Sequence, residues 1–118
     1  MQEQITKLLE DIVADYDTWQ LACADAQRGE NAKTSIQEKM YEEFKEELGY
    51  KTGNKYIKIT TKNGGSVWGF VVNTDKDKKF NYGDILMAAG YNAPARNAAR
   101  GNVFKGYTIN WTGPQYLK

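Results

Sequence analysis

The hydrophobic period of the chain changes once, near residue 50, and that change requires two kinds of structure in one molecule. From Ile5 to Ala26 the apolar positions are Ile5, Leu8, Leu9, Ile12, Val13, Tyr16, Trp19, Ala22, Cys23 and Ala26. Steps of three and four place them on one face of an amphipathic helix. Arg28-Gly29-Glu30-Asn31 breaks the pattern. Thr34, with Gln37 three residues later, has the form of a capping box that opens a second helix. Ile36, Met40, Tyr41, Phe44 and Leu48 make its apolar stripe, and Gly49 supplies the stop. So short a connection favours an antiparallel helical hairpin over residues 1–50.

After residue 50 the period is two. Ile57, Ile59 and Thr61 alternate with Tyr56, Lys58, Thr60 and Lys62, and Asn63-Gly64-Gly65 signals a hairpin turn into a strand from Ser66 to Asn73. A two-residue turn there sets Ile57 and Ile59 on the face of Trp68, Phe70 and Val72, which is then the core face. A third strand is expected over Ile85 to Ala88 and a last one over Tyr107 to Thr112, ended by Gly113-Pro114. Between them the spacing predicts a short capped helix, with Asn92 as its N-cap, Pro94 in its first turn and Gly101 as its stop. Arg96 and Arg100, four apart, would project together from it. The expected fold is therefore α+β: an N-terminal helical hairpin, then a small antiparallel β-barrel-like domain over residues 51–118, forming one compact unit.

Charge divides at the same boundary. Residues 1–50 carry 5 Lys+Arg against 12 Asp+Glu, whereas residues 51–118 carry 11 against 3. Such a split implies a polyanionic partner for the basic half, or contact between the halves. Several function classes are excluded by what the chain lacks. With no histidine and a single cysteine, a zinc site or an internal disulfide has no ligands to use. Cys23 lies on the apolar side of its helix and reads as a packed thiol. Asp75-Lys-Asp77 opens like a calcium loop, but Lys79 and Phe80 stand where an oxygen ligand and a glycine are required. General acid–base work would fall to Asp75, Asp77 or Asp84. The first two are expected to stay solvated among lysines, and the third to accept backbone N–H groups in its turn. The chain reads as a non-enzyme that needs no cofactor and no metal. No apolar run approaches the ~18 residues of a membrane span, and the acidic N-terminus has no signal core, so a cytoplasmic protein is expected.

Ten of the 15 aromatic residues fall in the basic half. Cationic side chains interleaved with aromatics on a small β scaffold suit single-stranded nucleic acid, with phosphates on the cations and bases on the rings. The residues expected to bind it are Tyr56, Lys58 and Lys62 on the outer strand face, Lys78 and Lys79 in the following loop, and Tyr91, Arg96, Asn97 and Arg100 in the capped segment. The alternative is a protein-binding module that engages a partner, or a second copy as a homodimer, through the acidic hairpin. In that case the carboxylates of the hairpin, such as Glu42 or Glu46, would hold the arginine pair.

Four short motifs follow one another in the chain: Gly83 to Leu86 (GDIL), Ala93 to Asn97 (APARN), Ala99 to Asn102 (ARGN) and Trp111 to Pro114 (WTGP). With the hairpin before them, they span Gly53 to Leu117, and over that half the chain resembles a group of small uncharacterised proteins of tailed bacteriophages. The resemblance implies a phage origin and expression in the cytoplasm of an infected bacterium. It carries no activity and no functional residues with it.

Overall fold

The computed structural model describes residues 1–28, 35–96 and 98–114, with the backbone alone for residues 24–28. Helix α1 spans Gln2–Arg28 and helix α2 Ser35–Glu47. The expected break at residues 29–31 and the Thr34 cap lie outside the described residues. Ile5, Leu8, Ile12 and Tyr16 of α1 are buried, as steps of three and four require. On α2 only part of the stripe finds cover. Phe44 stacks on Tyr16 with ring centroids 4.3 Å apart, while Ile36 is 70% exposed. Gln20 ties the helices together by donating from Nε2 to the Gln37 carbonyl at 2.8 Å.

A four-stranded antiparallel sheet follows, in the order β1 (Gly49–Thr52), β2 (Tyr56–Thr61), β3 (Ser66–Val72) and β4 (Ile85–Leu86). It does not close into a barrel; β1 and β4 remain its edges. Three two-stranded ladders complete the described chain: β5 (Ala88–Gly90) with β6 (Ala93–Pro94), β7 (Gly101–Asn102) with β8 (Gly106–Tyr107), and β9 (Ile109–Asn110) with β10 (Gly113–Pro114). The single strand expected over Tyr107 to Thr112 is thus split, with its turn at Trp111-Thr112 and Gly113-Pro114 pairing back instead of ending it.

The β2–β3 register corrects the expected core face. Near the turn, Thr61 pairs with Ser66, as a turn centred on Asn63-Gly64 demands. Ile59 then pairs with Gly69 while Thr60 pairs with Val67, so Trp68 is the extra residue of a β-bulge. Beyond the bulge the parity reverses. Trp68 and Val71 share a face with Ile57 and Ile59, but Phe70 and Val72 point to the other side. Both faces are covered, which explains the unbroken buried run from Trp68 to Val72. On one face Ile5, Leu8 and Ile12 pack against Ile57, Ile59, Trp68, Val71 and Ile85. On the other, Phe70 and Val72 pack with Phe80 and Leu86, flanked by Tyr56 and Ala88. Gly69 has no room for a side chain, because a Cβ would meet the Leu86 carbonyl oxygen and the Pro114 ring, each at 2.9 Å.

The short capped helix is not formed. Asn92 lies in the turn between β5 and β6, Pro94 pairs with Ala88, and Gly101 starts a strand. Backbone bonds to the sheet region take the place of helical ones: Ala95 N–H donates to the Met87 carbonyl at 2.6 Å and Arg100 N–H to that of Ile85 at 2.7 Å. Asp84 and Asn102 fasten this segment. Asp84 Oδ2 accepts the Asn81 N–H at 2.9 Å, in keeping with the turn role expected of it, and its Oδ1 accepts from Asn102 Nδ2 at 2.9 Å. Asn102 Oδ1 in turn accepts the Phe104 N–H at 2.8 Å.

Candidate nucleic-acid interface

Alternation along β2 sends Ile57 and Ile59 into the α1-side core and leaves Tyr56, Lys58 and Thr60 on the opposite face. The β1–β2 register sets Lys51 directly across from Lys58. Directly opposed residues share a face, and like charges there are unfavourable. Lys58 turns away toward the β5–β6 turn, donating to Asn92 Oδ1 at 2.6 Å with its ammonium 4.0 Å from the Tyr91 ring centroid. That geometry is a cation–π contact. The Tyr91 hydroxyl donates to the Gly64 carbonyl, which ties the ring to the turn that carries Lys62. Tyr91 remains 48% exposed, and Lys62 is exposed.

A second group forms around Asp77. Its Oδ1 accepts the N–H groups of Lys79 at 2.8 Å and Phe80 at 2.9 Å, the geometry of an Asx turn. Arg96 completes the carboxylate from outside, with one guanidinium nitrogen 2.9 Å from Oδ2 and the other 3.0 Å from Oδ1. This bidentate fork is the strong form of the pair. Hydrogen bonding from Arg96, then from the Phe80 and Lys79 N–H groups, holds the Asp77 carboxyl far below the usual carboxylate range, and Asp77 pushes Arg96 further up. The Asp77 side chain is 1% exposed, so it is not solvated as its lysine-rich loop suggests. Its cover comes from its own loop and one guanidinium at the surface, not from the core. Arg96 also donates to the Tyr56 hydroxyl and lies 4.9 Å from the Phe80 ring centroid, while Lys79 Nζ donates to the Arg96 carbonyl.

Five of the nine residues singled out therefore fall into two linked groups on one side of the sheet: Lys58 with Tyr91, and Tyr56 with Lys79 and Arg96. Lys62 stands at the end of the first group and Lys78 in the loop of the second. Arg100 does not project beside Arg96. It is half-buried, with Nε donating to the Ala98 carbonyl at 3.2 Å and its guanidinium 3.7 Å from Met87 Sδ. Asn97 lies outside the described residues. The sequence reading missed Lys51, Lys55 and Asn92. Lys51 stands on β1, a strand the sequence reading did not foresee, Lys55 lies in the turn after it, and Asn92 was expected to cap a helix.

The acidic half meets the basic half elsewhere. The Tyr107 hydroxyl donates to Asp11, and the Trp111 N–H donates to Asp15 Oδ2 at 2.7 Å. Burial first, and then the bond to Asp11, raise the Tyr107 hydroxyl's pKa well above its ordinary value. Helix carboxylates thus grip the C-terminal ladders on the α1 side of the sheet, and the carboxylate on Arg96 is Asp77, not Glu42 or Glu46. No helix among the described residues is long and apolar enough to cross a membrane. No protein-family model matches the chain, and the searches of curated proteins and of solved structures each return no match.

Proposed function

We propose that this chain is a non-enzymatic phage accessory protein that binds single-stranded nucleic acid in the cytoplasm of the infected bacterium. In this reading the two helices form a hairpin seated on one face of a bent, barrel-like sheet, and the ligand runs along the β1 edge and the β5–β6 turn, beside the Phe70–Val72 cluster that covers the other face. The observation that carries it is the Lys51–Lys58 cross-strand pair beside the half-exposed Tyr91. The Lys58 ammonium already bonds Asn92 and lies over Tyr91, so a phosphate here would bridge Lys51 to that held group, and the half-exposed ring offers a base a surface to stack on. Arg96, held by Asp77 in a pair of no net charge, contributes rigidity and not a free fork.

The test is fluorescence anisotropy of labelled single-stranded DNA and RNA across a salt series. With three or four phosphates engaged, the log–log slope should be roughly −2 to −3, at ~0.7 per contact. Tyr91→Ala should weaken binding by about 1–3 kcal/mol at an unchanged slope, because stacking is lost and no phosphate contact is. Absence of binding at low salt would overturn the reading. A protein partner for the helices is the second reading. The observation in its favour is that α2 buries no residue fully and leaves Met40 46% exposed and Ile36 more so.

A further inference from the structure

We infer that the cleft beside the β1–β2 turn is a phosphate-binding subsite, distinct from the Tyr91 surface and continuous with it. The cleft, about 490 Å³, is lined by Asn54, Lys55, Thr74, Lys76 and Lys78, with the Asp77–Arg96 pair at its wall. Four cationic residues line it, their stems as well as their charges, against one acidic residue, Asp77, whose carboxylate is already engaged. Both Asp77 oxygens accept from Arg96, and Oδ1 also accepts two backbone N–H groups. Lys55 Nζ lies 4.0 Å from Asp77 Oδ2, a long ion pair beyond hydrogen-bond range. The other acid of the loop, Asp75, is exposed and does not line the cleft. Among the described residues, Lys76 and Lys78 have no acidic partner. Thr74 Oγ accepts the Lys76 N–H at 3.2 Å, which leaves its own proton free to donate. A neighbouring cleft of about 320 Å³ is lined by Lys51, Lys58 and Asn92 and shares Asn54 and Lys55 with the first. Lysines therefore follow one another along the two adjoining clefts, from Lys58, which lies over Tyr91, past Lys55 to Lys76 and Lys78. Ammonium groups serve phosphate as point charges, so such a track holds consecutive phosphates without reading sequence.

The inference rests on the single-strand reading only for what carries the phosphates. The phosphate chemistry itself is shared by a nucleic-acid backbone and a free polyphosphate. The experiment uses the full chain with two probes, a labelled oligothymidylate and inorganic tripolyphosphate. The paired substitution Lys76→Ala with Lys78→Ala touches no ladder and no core residue. It should flatten the oligonucleotide salt slope by about 1.4 units, from ~0.7 per phosphate contact. It should also weaken tripolyphosphate roughly tenfold through lost charge-assisted contacts. Tyr91→Ala should leave tripolyphosphate binding unchanged. Lys39→Ala with Lys105→Ala removes the same charge elsewhere, and an equal loss from that pair would reduce the effect to net charge and overturn the subsite. An oligonucleotide slope unmoved by the Lys76 and Lys78 changes also overturns it, with the single-strand reading intact. Tripolyphosphate bound through Lys76 and Lys78 with no oligonucleotide binding keeps the subsite and removes the nucleic-acid reading. If neither probe binds, both fall.

Discussion

Trp68 is the residue on which the sheet turns. As the extra residue of the bulge, it adds no Cα pair to the ladder, yet it is only 4% exposed and its Nε1 donates to the Asn110 carbonyl at 2.9 Å. One side chain thus joins the α1-side core to the C-terminal ladder. Trp68→Ala should cost ~3–5 kcal/mol in urea unfolding, the range for a buried large aromatic, and a loss under ~1 kcal/mol would mean the ring is not in the core. Asp77 makes a prediction of a different kind. Its pKa is depressed in the folded state, so its contribution to stability is complete above the unfolded value of ~3.9. That contribution is lost progressively as pH falls below that value toward the folded one. The stability difference between the natural chain and Asp77→Asn should therefore hold steady from neutral pH to about 4 and shrink below it. A difference independent of pH across that window would assign the effect to neutral contacts of the loop.

Among the elements, the segment from Gly83 to Phe104 carries the densest set of special residues in the chain, and the structure uses them for closure. Gly101 has φ +153, and a Cβ there would stand 2.6 Å from the Cβ of Tyr107. Gly101→Ala should destabilise by about 1–3 kcal/mol, from backbone strain and the clash with β8, measured by urea midpoint at unchanged m-value. A neutral result would show that β7 and β8 can separate at no cost. The GDIL and ARGN motifs meet at Asp84 and Asn102, which are buried and bonded to each other. Pro114 of WTGP packs over Gly69. These motifs are legible as structural fasteners once their partners are seen. Along the chain Gly101 of ARGN reads equally well as the stop of a helix.

For the molecule as a whole, helix α1 is part of the core, and Phe44 of α2 packs at its margin. Ile5, Leu8 and Ile12 are fully buried against the sheet, and Asp11 and Asp15 each bond across the boundary between the acidic and basic halves. A chain beginning at Gly49 should therefore lose cooperative unfolding, because one face of β2 and β3 would be bare. High salt should not restore it, since burial of apolar surface and hydrogen bonds, rather than attraction between exposed charges, join the halves. Circular dichroism at the aromatic bands with urea titration checks this. A sharp transition in the shortened chain would make the sheet an independent domain.

The amino-acid sequence alone determined the two helices, the strand pair at 55–73, the core face of Ile57, Ile59 and Trp68, and the turn role of Asp84. These depend on period, on glycine and asparagine in turns, and on residues a few positions apart. The tertiary structure alone decided the side of Phe70 and Val72, the strands in place of a helix at 93–102, and the partner of Arg96. A single-residue bulge reverses every side chain beyond it and leaves no mark in the local pattern. Likewise, the alanine-rich stretch around Arg96 has helical propensity worth only tenths of a kcal/mol per residue. Bonds to Met87 and Ile85, and a carboxylate 19 positions away, outweigh that preference. Such long-range pairings have no local signature, and they decide which cations remain open to a ligand.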